Sequence, residues 1–372
     1  MKIQIVGIRG IPAQHGGFET FVEHFAVYLQ KNGWQVSVYC QEEGIGEIFE
    51  DEWCGILRVH IPVSQKGAKG TVVFDWKSTC YAVKQKTPVL TLGYNTAFFS
   101  LYYRVKGVKN IINMDGVEWQ RAKWSIWQRA WLYMNERLGA WLANHLIADH
   151  PEIKVRLSRF TSPSKITMIP YGADILQTAS KEPLKLFELK EDRYALVIAR
   201  PEQENSILEI VKAYSLAKRG IPLIILGKYT PSSNKFHQTV IDSASDEVKF
   251  VGGVYEKVVV QSLRFFARFY IHGHTVGGTN PSLVEALGAG TPIIARNNKY
   301  NRWVAGDNAL YFFTIKECAN HIELLLQDTT LVLKMREFSF QQAEKKFQFK
   351  MIHHAYEQLL LRVTQGMKKG RK

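Results

Sequence analysis

The run Gly277-Gly278-Thr279-Asn280-Pro281-Ser282-Leu283-Val284-Glu285-Ala286 carries the sharpest chemical signal in the chain. Asn280 is a good N-cap residue and Pro281 suits the first helical position, so a helix should begin here. The glycine pair before it leaves amides free at a positive helix end, which makes a cradle for a diphosphate. Glu285 falls in the second turn, within reach of a hydroxyl-bearing group beside the phosphates. A merely capped helix would leave the paired glycines and the carboxylate unexplained. Two cations add to this. Arg200 ends the apolar run ALVIA and Lys228 follows LIILG, and ligands of open α/β sheets bind at such carboxyl edges. Together they suit a diphosphate.

A second glycine pair, Gly16 and Gly17, stands before a helical pattern that begins near Phe18. The loop is long and lacks a tight G-x-G-x-x-G, so it is not the dinucleotide fingerprint. These residues alone fit an anion cradle or a plain strand–helix turn. His15, beside them, could touch phosphate, whereas His150 before Pro151 reads as turn chemistry. Asp115 and Glu118 lie in a segment with Trp119 and Trp124, and carboxylates beside aromatic rings suit a sugar. The same two residues have capping-box spacing, and both jobs can coexist. No His, Cys, Asp and Glu cluster has metal-ligand spacing, so no metal is expected.

Something must position these residues. Short apolar runs alternate with helical patterns along all 372 residues. Lys2–Ile8, Gln35–Tyr39, Val89–Leu92, Asn110–Met114 and His145–Ala148 form one strand set. The second is Ala195–Ala199, Leu223–Leu226, Val248–Val251, Phe269–His272 and Pro292–Ala295. Helical patterns, such as Phe18–Lys31 and Gln120–Ala143, lie between strands, which predicts parallel sheets. The turn-rich stretch Pro170–Pro183 divides the sets. The expected architecture is α/β, two Rossmann-like doubly wound domains with a cleft between them. The domains are residues 1–175 and 176–345, with 346–372 a helix and basic tail returning to the first.

Composition narrows the class. Apolar residues make up 46% and charged residues 22%, as in globular chains. The four cysteines are scattered and form no C-x-x-C pair, so reduced, cytosolic thiols are expected. The first twelve residues lack a signal-like apolar stretch, and no run is long enough to span a membrane. A net charge of +14 calls for a negative partner, whether phosphorylated substrate, anionic lipid or nucleic acid.

The segments RGIPAQHGGFETFVE, NMDGVEWQRAKWS, HGHTVGGTNPSLVEALGAGTP and NRWVAGDNALYF resemble glycosyltransferase family 4 of the GT-B fold. More narrowly they resemble a bacterial rhamnosyltransferase-like subgroup of polysaccharide biosynthesis. The resemblance implies a retaining, metal-independent hexosyltransferase with no cofactor besides its nucleotide-sugar donor, best taken as dTDP-L-rhamnose. It implies that Gly16 and Gly17 face the donor phosphates and that Arg200 pairs with the diphosphate. Gly278, Thr279 and Asn280 would contact phosphate and sugar, and Glu285 the ribose. Two positions depart from the broad family. Gly277 stands where a glutamate is usual, and Asn205 replaces the lysine of Arg-x-x-x-Glu-Lys, which leaves Lys228 as second cation. Asp115 and Glu118 would serve on the acceptor side.

Other readings carry less. A UDP- or GDP-sugar would suit the same residues. A GT-B-fold epimerase would need several carboxylates and a histidine around the sugar. A basic nucleic-acid-binding protein would need a module that the sequence does not present, so no nucleic-acid partner is expected. The acceptor is expected to be a saccharide, lipid-linked, in cell-surface polysaccharide synthesis. Trp124, Trp127 and Trp131 share a helical face by spacing, interleaved with Arg121, Lys123 and Arg129. Upstream, nine cations from Arg58 to Lys109 face the lone acid Asp75. These features predict a peripheral enzyme whose first domain lies on the anionic inner face of the cell membrane.

Overall fold

Strands buried on both faces of a parallel sheet read as near-continuous apolar runs, and each such run of the sequence is a strand in the structure. The structure, a computed structural model, describes residues 1–13, 16–121 and 123–365. The chain forms two compact units. The first comprises Met1–Gln120, Trp124–Pro170 and the segment from Lys350 onward. The second comprises Tyr171–Phe349, with which Arg121 and Lys123 are grouped. The division falls at 170, inside the turn-rich stretch.

In the first unit the elements run β1 (Lys2–Val6), α1 (Gly17–Lys31), β2 (Gln35–Glu43), β3 (Phe49–Trp53), β4 (Ile56–Val63), α2 (Gly67–Lys84), β5 (Val89–Leu92), α3 (Ser100–Val105), β6 (Asn110–Asn113), α4 (Ile126–Leu142), β7 (His145–Ala148), α5 (Pro151–Leu157) and β8 (Ile166–Met168). The sheet order is β3-β4-β2-β1-β5-β6-β7-β8, parallel except for β3 on β4. The chain therefore builds outward from β1 on one side and then returns to β5 on the other. The strand order reverses between β1 and β5. Several elements differ from expectation. Strand β3 was not foreseen, because FEDEW is a polar edge strand with no buried face to leave a pattern. The largely buried β4 beside it was passed over, as were the three-residue strands β8 and Leu310–Phe312. Helix α4 starts at Ile126 rather than Gln120, because Ser125 and Gln128 form a full capping box there.

The second unit runs β9 (Ala195–Ile198), α6 (Ile207–Ser215), β10 (Leu223–Leu226), α7 (Lys235–Asp242), β11 (Val248–Phe250), α8 (Lys257–Phe265), β12 (Phe269–His272), α9 (Pro281–Gly288), β13 (Ile293–Arg296), α10 (Lys299–Ala305), β14 (Leu310–Phe312), α11 (Ile315–Gln327) and α12 (Thr329–Lys346). Its sheet is parallel, in the order β11-β10-β9-β12-β13-β14, and reverses between β9 and β12.

Helix α13 (Phe349–Gln365) closes the first unit. Helix α1 buries Phe21, Val22, Phe25, Ala26 and Leu29, each large side chain contributing about 1.5–3 kcal/mol. Tyr356 of α13 packs on Phe21 and Phe25 with ring centroids 4.7 and 5.3 Å apart. Glu357 accepts from Tyr28 Oη and Trp34 Nε1, both at 2.9 Å. The expected basic tail at 367–372 lies outside the described residues, as does His15. No helix among the described residues is long and apolar enough to cross a membrane.

Candidate functional site

Ligand sites of doubly wound sheets form where the strand order reverses, outside the carboxyl ends of the strands. In the second unit that place is the end of β9 and β12, and the residues singled out from the sequence gather around it. Arg200 leaves β9 and Lys228 leaves the adjacent β10, which pairs with β9 from Leu223 to Leu226. Both side chains are exposed. Their charges are available to a ligand.

The loop from β12 to α9 lies across the same edge. Gly273 packs against the carbonyl oxygen of Asn205, with which any Cβ there would collide. Thr275 donates from both its amide and its hydroxyl to the Glu204 carbonyl at 2.9 Å. Asn205 is buried and donates to the Arg200 carbonyl at 2.8 Å. It thus holds the β9 turn, a role a charged lysine at this buried position could not take without a counter-ion. Gly277 adopts φ +140, which favours glycine. Asn280 caps α9 by accepting from the Ser282 amide at 3.0 Å, and Pro281 is the first helical residue. Gly278, Thr279 and Asn280 therefore sit at the positive end of α9.

Glu285 is held from two sides. Arg264 of α8 makes an ion pair with Oε2 at 2.6 Å, and Tyr171 donates to Oε1 at 3.5 Å. Neither partner was foreseen. Arg264 is buried and has a bare Nε, among the described residues. His272 and His274 stack with centroids 4.4 Å apart. Burial pushes His272 down to about 3. It drives His274 well below its ordinary value, with His272 and neighbouring cations including Arg200 adding. Both rings are neutral at physiological pH, and His274 Nδ1 has no hydrogen-bond partner among the described residues. Glu204 likewise has a buried Oε1 without one. The arrangement offers cations and helix amides for phosphates, a fixed carboxylate for hydroxyls, and uncharged imidazoles.

In the first unit, Gly16 is the N-cap of α1 and Gly17 its first residue. The preceding loop is pinned by that helix: the Arg9 amide donates to Glu19 at 3.2 Å and the Ala13 amide to Glu23 at 2.6 Å. These two carboxylates, unnoticed in the sequence, occupy loop amides and place negative charge beside the glycine pair. Asp115 follows β6 with φ +48, and its amide donates to Asn113 Oδ1 at 2.9 Å. It is not a helix cap. Only a short 3-10 turn, Glu118–Gln120, follows it, so the capping-box alternative falls away. The Glu118 amide donates to the buried Tyr94 hydroxyl at 2.8 Å, which fixes its place near Asp115. His150 does cap a helix, accepting from the Glu152 amide at 3.1 Å.

The tryptophan face needs correction. Trp124 precedes the capping residue Ser125, is half-buried, and does not share a helical face with Trp127 and Trp131. Those two are 83% and 38% exposed. The Arg129 Nε donates to the Trp119 carbonyl at 2.9 Å, and Arg121 and Lys123 are grouped with the second unit.

Residues 180–343 match the family described as glycosyl transferases group 1. Residues 1–174 match one described as a domain of unknown function (DUF1972). No curated protein sequence matches the chain. Among solved structures it is similar to a sucrose-phosphate synthase from Thermosynechococcus elongatus, with TM-score 0.80 and 16% identity over 98% of this chain and 99% of that one. It is also similar to Anabaena HepE in complex with UDP-glucose, with TM-score 0.75 and 14% identity over 96% and 98%. A third is a trehalose-phosphate synthase (UDP-forming) from Burkholderia xenovorans in complex with glucose-6-phosphate, with TM-score 0.74 and 11% identity over 98% and 99%. The fold is GT-B, and most of its second unit matches the group 1 glycosyltransferase model.

Proposed function

We propose that this GT-B glycosyltransferase is a retaining enzyme that moves a hexose, best taken as L-rhamnose from dTDP-L-rhamnose, onto a lipid-linked saccharide. It belongs to family 4 and to the rhamnosyltransferase-like subgroup that its motifs resemble. The observation that carries the donor reading is the grouping of Arg200, Lys228, the α9 amides and the Arg264-braced Glu285 at one sheet edge. Cations and a helix end take the diphosphate, and Glu285 takes the ribose hydroxyls. In the transfer, the bond from the anomeric carbon to the phosphate oxygen breaks on the face where the acceptor oxygen bonds. The acceptor's proton passes to the leaving phosphate oxygen. Such a step needs positioning and electrostatics rather than a dedicated base or a metal. Asp115 and Glu118 serve the acceptor side, and Gly16 and Gly17 the donor phosphates.

A UDP-sugar is the second reading, favoured by the UDP-glucose in the HepE structure. Thermal shift against dTDP-rhamnose, UDP-sugars and GDP-sugars separates them, because a ligand that binds only the folded state raises the melting temperature. A shift with UDP-glucose and none with dTDP-rhamnose would transfer the assignment to the second reading.

The enzyme works on the inner face of the cell membrane, docked through its first unit. Supporting this are the outward residues of α4, Ile126, Trp127, Trp131 and Met134. They continue into an aromatic ridge in which Trp131 meets Phe98 at 5.3 Å, Phe98 meets Phe99 at 4.0 Å, and Phe99 meets Trp76 at 5.0 Å. Trp76 is 43% exposed. Lys66, Lys69, Lys84, Lys86 and Lys106 are exposed on the same unit, and each cation near an anionic bilayer contributes about 1 kcal/mol.

A further inference from the structure

The first sheet has its own point of reversal, between β1 and β5, and a cavity opens there. Gly7 and Gly93 end the two strands with φ +89 and +86, and a Cβ on Gly7 would strike the Leu92 carbonyl oxygen. Glycine lets the two strand ends stay close while their chains turn away. The cavity measures about 180 Å³ and is lined by Arg9, Thr71, Asp75, Thr96 and Tyr103 among others. That is below the roughly 300–1,000 Å³ of sites for drug-sized ligands, and it suits a single sugar ring. Past Arg9, Gln41 and Thr71 it adjoins a wider hollow of about 700 Å³ that includes Ser64, Gln65 and Lys66, with room for further sugars of a chain.

Asp75 is the one acid between Arg58 and Lys109, yet it pairs with no cation among the described residues. Thr96 donates to its Oδ2 at 2.7 Å, and its Oδ1 has no partner among the described residues. Part of its surface faces the cavity and the rest is walled in, and burial pushes the carboxyl up to about 7. The buried Tyr103 hydroxyl lies near enough to feel its charge. Thr79 stands beside it but donates its own proton to the Asp75 carbonyl at 2.8 Å, and no well-formed hydrogen bond from the phenol is made among the described residues. Buried polar groups in folded proteins are rarely left unmatched. A carboxylate oxygen with capacity to accept, beside a phenol free to donate, matches a group that both donates and accepts. Hydroxyls of a sugar do.

We propose that this cavity is a subsite for one monosaccharide ring of the acceptor, whose hydroxyls donate to Asp75 and accept from Tyr103, with Thr96 orienting the carboxylate. The assignment rests on the reading of the chain as a saccharide-modifying transferase. Hydroxyl donors favour the ionised carboxylate. Binding therefore releases the proton, and affinity rises with pH through neutrality. Arg9 from the end of β1, Glu19 from α1 and Tyr103 from α3 face the same cavity. Asp75→Asn leaves all three in place, so a pH dependence that disappears in it belongs to Asp75.

The test is saturation-transfer NMR on the full chain with free rhamnose, glucose, galactose and N-acetylglucosamine at pH 6 and pH 8. Thermal shift with the nucleotide sugars runs in parallel. The expected result is transfer to at least one monosaccharide, at least threefold stronger at pH 8. In Asp75→Asn it falls at least fivefold and loses its pH dependence, while the nucleotide-sugar shift is unchanged. Tyr103→Phe, which keeps the ring, supplies the same reading through a threefold loss should Asp75→Asn not fold. No transfer to any of the four sugars, or equal transfer in wild type and both variants, overturns the subsite. Absence of every nucleotide-sugar shift, with Asp75-dependent transfer intact, overturns the donor reading and supports the subsite.

Discussion

Arg264 Nη2 stands 2.6 Å from Glu285 Oε2, joining α8 to α9 through a buried guanidinium and a carboxylate that remains partly open. Arg264 also accepts the Thr291 hydroxyl at its carbonyl, 2.7 Å away, so the turn after α9 is tied to the same residue. The arginine therefore fixes the rotamer of Glu285 through Oε2, while Oε1 is met by a long Tyr171 contact at 3.5 Å. A carboxylate held this way would meet the hydroxyls of the proposed donor's ribose without first having to be ordered.

Substitution of the pair has a defined signature. Charge-assisted hydrogen bonds contribute about 1.5–3 kcal/mol, so Glu285→Gln should weaken nucleoside diphosphate binding roughly tenfold to a hundredfold by calorimetry. Arg264→Met should do the same without touching the ligand, and Arg264→Lys should restore only part, since a single ammonium cannot reproduce the guanidinium fork. Glu285→Ala strands a buried cation, which costs about 3–5 kcal/mol, and so should also lower Tm. Unchanged affinity in both Glu285→Gln and Arg264→Met would remove Glu285 from the donor site.

Arg200→Ala and Lys228→Ala should behave differently. Both side chains are exposed, so their loss leaves Tm within a degree or so while turnover falls at least tenfold. Affinity for the diphosphate should also become less sensitive to salt in each variant. Normal turnover in both would contradict the placement of the phosphates at the ends of β9 and β10.

How far these residues were legible follows from what each depends on. The parallel strands, the capped start of α9 and the two strand-end cations all leave local marks, in apolar runs, in Asn-Pro and in a charge after ALVIA. Arg264 leaves none. It sits in KVVVQSLRF, where an arginine near the end of an amphipathic helix reads as a solvated charge, and only the packing of α8 on α9 buries it. Glu19 and Glu23 read equally well as surface acids of α1 until the loop amides are seen to fold back onto them. Asp115 misled in the other direction: its spacing to Glu118 mimics a capping box, but its positive φ turns the chain away from a helix. The antiparallel β3 escaped notice because an exposed edge strand has no buried face to impose alternation.

Asp75 also sets a pH dependence of stability. An acid raised from its ordinary value to about 7 favours the folded state fully below pH 4, and this contribution is lost as pH rises through 7, at roughly 1.4 kcal/mol per pH unit. Asp75→Asn keeps the acceptor for Thr96 and has no such loss. The variant should melt close to wild type at pH 4 and several degrees higher at pH 8, at roughly 2–4 °C per kcal/mol. Parallel Tm curves across that range would mean that the carboxyl titrates as an ordinary surface acid.

The proposed membrane docking rests on α4. Its inner face buries Leu132, Asn135, Glu136, Gly139 and Ala140, and buried Glu136 is braced by Arg156 at 2.6 and 2.8 Å and by Trp119 at 3.1 Å. The helix is therefore fixed from within, and the exposed Ile126 and Trp127 are not needed for that packing. Burying a side chain of this size in the interfacial region contributes about 1.5–3 kcal/mol, enough for a tenfold change in vesicle binding. Ile126→Glu and Trp127→Glu should together abolish co-sedimentation with anionic liposomes at low salt, with Tm and the nucleotide-sugar shift preserved. Turnover on a short water-soluble acceptor should survive, because Ile126 and Trp127 stand at the amino end of α4 and not at the strand end that carries Asp115. Equal recovery of wild type and variant on anionic vesicles, or of wild type on neutral and anionic ones, would place the enzyme's acceptor encounter elsewhere.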